Sequence, residues 1–409
     1  MASEIVLVNV SGEDQPGLMA MLTSTLARYQ VRILDVGQAV IHDELNVGML
    51  VQIVDAADRM PALQAFEREA RRAGTTVRVT PISTADYHDW VASHGKPRYI
   101  VTLLANGFTG MQMATVTAII HRHGLNIDSI RRLSGRVPLT SSDGRERTSI
   151  EMSLRGELAD FQALKADLLE AADTLIFDFS VQEDSVYRRN RRLVAFDMDS
   201  TLINAEVIDE LAKVHGVGRE VARITERAMR GELDFKESFR ARAALLRGLP
   251  EGALRQVAES VSLNDGADRL IHALKRFGYK TAVISGGFQY VGEQLQRRLG
   301  IDYVFANRLV IHDGVMTGEV DGDIVDAARK AELLLEIAAR EGISRLQTIA
   351  IGDGANDLPM LSAAGLGIAY HAKPLVKESA SHAISNFGLD AVLYLLGFSD
   401  RDIETALAD

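Results

Sequence analysis

The 409-residue sequence predicts an α/β protein, with two βαββαβ (ferredoxin-like) modules followed by a Rossmann-like parallel sheet that carries a helical cap. Three observations lead there. First, the order strand, glycine turn, helix, paired strands, helix, strand occurs twice, at a spacing of about ninety residues. Second, from Leu193 on, the alternating strands give way to continuous apolar runs, LVAF, TAVIS, TIAIGD and GLGIAY, separated by helical stretches. Such runs suit a parallel sheet covered on both faces. Third, a long helical stretch, roughly 205–262, interrupts the alternation between the first two of these strands.

In the first module, 1–84, EIVLVNV reads as a strand and Asp14–Gly17 as a turn, followed by an amphipathic helix and a strand from Val31. LNVGMLVQIV, a helical 59–74 and TVRVTPI complete it. The second module, 96–185, repeats the order with RYIVTLLAN, the turn NGFTG, an apolar-faced helix and GLNIDSI, then RTSIEMSLRG, a helical 158–172 and LIFDFSVQED. The basic run RRNRR at 188–192 reads as a solvated linker. The third domain spans 190–409, and within it NRLVIHDGVMTGEV alternates around Asp313-Gly314 as a hairpin does.

Composition excludes several classes. With 45 basic against 56 acidic residues the net charge is -11, which argues against a nucleic-acid or anionic-membrane surface. No cysteine is present, so disulfides and thiolate metal sites are excluded. The longest apolar runs, such as AVLYLLGF at 391–398, fall short of the roughly 20 residues of a membrane span. MASEIVLVNV lacks the basic n-region of a secretory signal, so a soluble, cytoplasmic protein is expected.

Ligands of open α/β sheets bind at the carboxyl ends of the strands. Those ends carry Asp197 and Asp199 after the first strand, Ser285-Gly286-Gly287 after the second, and Asp353-Gly354-Ala355-Asn356-Asp357 after the third. Lys330 precedes the third in a helical stretch. Side chains at i and i+2 of an extended segment share a side, so Asp197 and Asp199 repel unless a cation lies between them. Mg²⁺ is the natural bridge between carboxylates and a phosphate. Asp197 then suits a nucleophile that forms an aspartyl-phosphate, and Asp199 a general acid and base. Ser285 and the Gly286 and Gly287 amides suit phosphate oxygens, and Lys330 the charge on the transferring group.

DMDSTLI, SGG, Lys330 and GDGAND, in that order, resemble the four motifs of the haloacid-dehalogenase superfamily over about 190–400. Within it the chain is similar to the phosphoserine phosphatases, because Glu206 and the segment AMRGELDFKESFRAR resemble their substrate-binding cap. The resemblance implies Mg²⁺ held by Asp197, Asp199 and Asp353, with Asp357 behind them. It implies that Asn356 touches substrate, Glu206 meets an ammonium, Arg242 meets a carboxylate, and Met229 and Phe235 shield the site. A surface ion pair of Glu206 with Arg242 stays open as an alternative. So do another small phosphomonoester, transfer to an acceptor alcohol, and an amino-acid sensor with a scaffold phosphatase domain. Residues 4–80 and 98–185 look like two ACT domains, the first through DQPGL at 14–18 and the second through the looser NGFTG at 106–110. That likeness implies a homodimer that binds L-serine. The Gly17 and Gly110 turns would meet its carboxylate, and Asp14, Asp35, Asn126 and Asp128 its ammonium; modules that only dimerise are the other reading.

Overall fold

The computed structural model describes residues 4–93, 95–138, 147–380 and 382–408. The chain forms two compact units, Met1–Lys96 and Pro97–Asp409. Among the described residues no helix is long and apolar enough to cross a membrane.

The first unit is a four-stranded antiparallel sheet of β1 (Glu4–Glu13), β2 (Val31–Ile41), β3 (Glu44–Ile53) and β4 (Thr76–Ile82), in the order β2-β3-β1-β4. Every second residue of β3 is buried, as are Val6, Val8 and Val10 of β1. That period of two puts one face of the sheet against the helices Leu18–Leu26 and Arg59–Arg72, through Leu22 and Phe66. A third helix, Thr84–Ser93, follows β4. The sequence reading leaves it as a connection, because its ten residues include no fully buried side chain and hence no clear apolar stripe.

The second unit opens with β5 (Arg98–Asn106), β6 (Asn126–Arg132), β7 (Arg147–Arg155) and β8 (Asp178–Glu183), with helices Gly110–Arg122 and Phe161–Leu175. The second helix starts three residues later than 158, where the Asp160 carboxylate accepts from the Gln162 and Ala163 amides and fixes the N-terminus. There follow β9 (Leu193–Phe196), β10 (Lys280–Phe288), β11 (Tyr303–His312), β12 (Val315–Asp321), β13 (Thr348–Gly352), β14 (Leu366–Tyr370) and β15 (His382–Ile384). The hairpin of β11 and β12 turns at Asp313 and Gly314, both at positive φ (51° and 76°), as a two-residue type I′ turn requires.

One mixed sheet of eleven strands runs through this unit, in the order β12-β11-β10-β9-β13-β14-β15-β8-β5-β7-β6. The second βαββαβ module is therefore continuous with the parallel sheet, joined where Phe179 of β8 pairs with Ala383 of β15. Buried polar contacts lock that seam. The Asp178 carboxylate accepts from the Ser385 and Asn386 amides (3.0 and 2.9 Å), and the Gln182 side chain donates to the Leu395 carbonyl (2.8 Å). The run at 188–192 is solvated only in part: Arg189, Asn190 and Arg192 are exposed, but two of its arginines are not. Arg188 and Arg191 are only 7% and 9% exposed. Arg188 pairs with Glu151 of β7 at 2.5 Å, and Arg191 donates to the Leu346 carbonyl at 2.5 Å, so the guanidinium forks clasp the module to the core.

Strand β9, central and buried at all four residues, lies between β10 and β13, both parallel to it. The carboxyl ends of these three strands face the cap, built from helices Val207–His215, Gly218–Met229, Phe235–Ala244 and Glu251–Ser260.

Candidate active site

The chain after β9 turns sharply. The Asp197 amide donates to the Ile351 carbonyl (2.9 Å), and Ser200 takes a left-handed conformation (φ 57°). Such a conformation costs energy in a residue other than glycine and needs support. Asn264 gives it: its Nδ2 donates to the Ser200, Thr201 and Ile203 carbonyls at 3.0, 2.8 and 3.3 Å, while its own amide donates to the Leu202 carbonyl (2.9 Å). Asn264→Ala strands these carbonyls, each worth about 1 kcal/mol when satisfied. We expect it to lower the melting temperature and to reduce kcat by about tenfold or more with KM little changed. A normal kcat in a folded variant would remove Asn264 from the support of this loop.

Asp197 is 5% exposed, and its Oδ1 lies 2.9 Å from Lys330 Nζ. Lys330, on the helix Ala327–Arg340, also donates to Asp357 Oδ1 at 2.7 Å. Burial opposes the lysine's charge, but Asp197 and Asp357 outweigh it and raise its pKa above that of an ordinary lysine. Thr201 Oγ1 donates to Asp353 Oδ1 (2.7 Å), and the Gly354 amide to Asp357 Oδ2 (3.0 Å).

Asp197, Asp353 and Asp357 each offer an oxygen within 4.8 Å of the other two. This cluster differs from the sequence expectation, which places Asp199 in it and Asp357 behind it. Asp199 lies beyond the end of β9 and reaches the start of the cap, where its Oδ1 accepts from the Val207 amide (3.3 Å). Burial raises the Asp199 pKa well above the usual carboxylate range, and Glu206 and Asp197 add to the rise. Burial together with neighbouring carboxylates also lifts Asp353 to about 7 and Asp357 to about 6. Five carboxyl groups, counting Glu206, thus share the site with two cations, Lys330 and Arg242. A hard divalent cation with oxygen ligands fits that surplus.

Ser285, Gly286 and Gly287 lie in the last turnless residues of β10, where pairing with β11 shifts register between Ile284 and Phe288. The Ser285 hydroxyl accepts from the Gly287 amide (3.0 Å). The glycines are required by space. A Cβ on Gly287 would stand 2.4 Å from Asp199 Oδ2, and one on Gly286 would stand 2.9 Å from the Phe235 ring. Asn307, buried at 2% exposure, ties this loop in place: its Nδ2 donates to the Gly286 carbonyl and its Oδ1 accepts from the Val325 amide, both at 2.8 Å.

These groups line one cleft of about 290 Å³, which gathers Asp197, Asp199, Glu206, Phe235, Arg242, Ser285, Gly286, Asp353 and Asn356 of the sequence-predicted set. Lys330 and Asp357 stand behind its floor. Glu206 accepts from Ser200 Oγ (2.9 Å) rather than from Arg242. Arg242 enters from the helix Phe235–Ala244, and its Nε is buried with no hydrogen-bond partner. Phe235 stacks on Phe239 (centroids 6.1 Å apart), which leans on Phe288. The side chain of Met229 lies outside the described residues. Sequence reasoning missed Thr201, Asn264, Asn307 and Phe239. Thr201 was visible within DMDSTLI, while a lone Asn gives no signal of which carbonyl it will reach.

The residues expected to hold an amino acid in the N-terminal modules divide. Gly17 stands at the start of its helix with φ 89° and no side-chain cap, and Asp14 is exposed beside it. In the second module the corresponding groups are already engaged. Thr109 caps the helix that Gly110 opens by accepting from the Gln112 amide (3.2 Å). Asp128 pairs with Arg155 (3.1 Å) and accepts from Asn126 Nδ2 (3.0 Å).

Residues 194–362 match the haloacid dehalogenase-like hydrolase family, and residues 4–80 match the ACT domain. A phosphoserine phosphatase of Streptomyces coelicolor is 40% identical, over 99% of this chain and 95% of its own. One from Mycobacterium tuberculosis is 39% identical, over 98% of this chain and 95% of its own. Among solved structures, a HAD family hydrolase from Salmonella enterica serovar Typhi superposes with a TM-score of 0.63 at 32% identity, over 73% of this chain and 98% of its own. A probable phosphoserine phosphatase from Vibrio cholerae gives 0.58 at 34%, over 76% and 88%. With the likeness extending over nearly the whole chain, the protein belongs to the phosphoserine phosphatase family of haloacid dehalogenase-like hydrolases and carries an ACT domain at residues 4–80.

Proposed function

We propose that the protein hydrolyses O-phospho-L-serine to L-serine and inorganic phosphate, in two steps through an aspartyl-phosphate on Asp197. The observation that carries the substrate is Arg242 Nε, buried without a partner in a cleft that also holds Glu206. A buried unpaired donor is costly unless a ligand satisfies it. A planar guanidinium matches a carboxylate, and Glu206 matches an ammonium, so the pair selects an α-amino acid head group.

In the first step an Asp197 oxygen attacks phosphorus, and the bond from phosphorus to the serine oxygen breaks. Asp199, whose pKa is raised by burial, gives its proton to that leaving oxygen. In the second step Asp199 takes a proton from water as the water attacks phosphorus, and the Asp197 carboxylate leaves. Ser285, oriented by the Gly287 amide, and the Gly286 amide hold the phosphoryl oxygens, and Lys330 fixes Asp197 in position. Mg²⁺, held by Asp197 and Asp353 with Asp357 close by, would supply the positive charge that lets a phosphate enter a cleft of carboxylates.

The test is phosphate release from phosphoserine and phosphoethanolamine, which lacks the carboxylate, by the wild type and Arg242→Ala. We expect kcat/KM for phosphoserine to fall by about 10²-fold or more, and that for phosphoethanolamine to change far less. Chelation should abolish both activities and Mg²⁺ restore them. Equal losses on the two substrates would make Arg242 a structural residue and reopen the substrate.

We further propose that the protein is a homodimer whose ACT domain binds L-serine at the Asp14–Gly17 turn and lowers activity. The uncapped Gly17 helix start supports this reading for the first module, and the repeated βαββαβ order supports an ACT-like origin for the second. Serine titrated at saturating phosphoserine should inhibit the whole chain but not a chain lacking residues 1–96. Truncation near Val186 would not serve, because it would strip β8 from β15 and leave Asn386 and Leu395 without their partners. Identical responses of the two chains would exclude the first module as the sensor.

A further inference from the structure

The first unit holds a cavity of about 500 Å³ on the face of its sheet opposite the two packed helices. Its floor follows from strand register. Leu7 of β1 pairs with Leu50 of β3, and Leu50 with Asp35 of β2, so these side chains share the outward face. Two positions away on that face, Gly37 and Gly48 pair directly and leave the floor without side chains. A Cβ on Gly37 would meet nothing within 4 Å. The wall comes from the helix Thr84–Ser93, which brings Tyr87 and Trp90 to the cavity with ring centroids 5.9 Å apart and planes tilted by 36°.

The charge at this cavity is of one sign. Asp35 and Asp86 line it, and among the described residues that line it there is no lysine, arginine or histidine. Asp35 Oδ1 accepts from the Val36 amide (2.9 Å) and Asp86 Oδ2 from Ser83 Oγ (2.7 Å). Among the described residues the second oxygen of each carboxylate makes no hydrogen bond that competes with a ligand. Aromatic faces beside carboxylates attract a cation twice, through the ring quadrupole and through Coulomb attraction, while the leucines need an apolar body.

We propose that this cavity binds an organic ammonium ion with an apolar body, such as an aromatic monoamine. It is distinct from a serine site. A free amino acid would bring its carboxylate toward Asp35 and Asp86 with no cation to receive it, and serine has no apolar body to cover Leu7 and Leu50. The site is thus a binding pocket for a class of ligand other than an α-amino acid.

Trp90 is the only tryptophan in the sequence, so its emission reports on this cavity alone. The full-length protein is titrated at constant ionic strength with benzylamine as its ammonium ion, and in parallel with phenylacetate, benzyl alcohol and L-serine. Isothermal calorimetry provides a second readout. We expect a saturable millimolar response to benzylamine only. Asp35→Asn with Asp86→Asn should weaken it by about tenfold or more. Gly37→Leu should abolish it by filling the floor, with an unchanged melting temperature as the sign of an intact fold. Benzylamine binding that the double Asn variant retains, or equal binding of phenylacetate or benzyl alcohol, would overturn the proposal, as would silence in both fluorescence and calorimetry into the tens of millimolar. The outcome does not depend on the phosphatase reading, because no readout uses turnover.

Discussion

Asp197→Asn is expected to lower phosphoserine turnover by about 10⁴-fold or more, the scale seen when a nucleophile is removed from a covalent mechanism. Rapid quench should find no protein-bound phosphate, since an amide oxygen is a poor nucleophile. Asp199→Asn should behave differently. Its amide keeps the shape of the cleft but cannot shuttle a proton, so both steps slow, and the water attack, which needs a base, slows most. A protein-bound, acid-stable and alkali-labile phosphate should then accumulate in amounts approaching one per active site. The contrast separates the two carboxylates, which stand two residues apart but in different surroundings. Asp197 lies 2.9 Å from the Lys330 ammonium, whereas burial and the nearby Glu206 and Asp197 raise the Asp199 pKa. Near-normal rates in Asp197→Asn would exclude the aspartyl-phosphate route outright.

The parts of this molecule legible in its sequence are those where a single strong local force acts. Continuous apolar runs mark β9, β10, β13 and β14 because a strand buried on both faces tolerates nothing else. Asp313-Gly314 marks its hairpin because both residues must take positive φ. The order of chemical groups at the strand ends is legible too, since parallel strands deliver their carboxyl ends to one rim whatever lies between them. Contacts across the fold are less so. RRNRR has the composition of a solvated linker, and only the arrival of Glu151 and the Leu346 carbonyl makes Arg188 and Arg191 interior residues. The continuity of the second module with the core rests on one strand pair and a few side chains such as Asp178 and Gln182, none of which forms a motif. In the same way the i, i+2 spacing of Asp197 and Asp199 suggests one shared cation, but β9 ends at Phe196. Met198 already belongs to a turn, its carbonyl accepting from the Leu202 amide (2.9 Å), so the extended geometry that the spacing assumes is not kept. Asp357, read from sequence as an outer anchor, takes the third place in the carboxylate cluster because the short helical turn Ala355–Asp357 folds it back beneath Asp353.

Lys330→Met should cost both fold and chemistry, and the dependence on pH and Mg²⁺ tells the two apart. Lys330 Nζ is the only side-chain cation within 4.0 Å of Asp197 or Asp357 among the described residues, and all three are at most 5% exposed. Breaking a buried pair by removing one partner typically costs about 3–5 kcal/mol, because the other charge stays buried and unpaired. For a domain of this size that corresponds to a fall in Tm of roughly 10 °C. The loss should be largest above neutral pH, where both carboxyl groups would have to be ionised. It should shrink as pH falls toward about 6, the value Asp357 has with the lysine present, because without the lysine that carboxyl takes up its proton at still higher pH and a neutral carboxyl needs no cation. Lys330 itself stays charged across this range because its pKa is raised, so the wild type should show no matching change from the lysine. Added Mg²⁺ should stabilise Lys330→Met by more degrees than it stabilises the wild type, because the uncompensated carboxylates then attract a divalent ion more strongly. Turnover should remain depressed by about 10³-fold even where Mg²⁺ restores the melting temperature, since Asp197 is no longer held in position. A variant as stable as the wild type at alkaline pH would mean that the three buried groups do not depend on one another, and that Lys330 acts on the substrate alone.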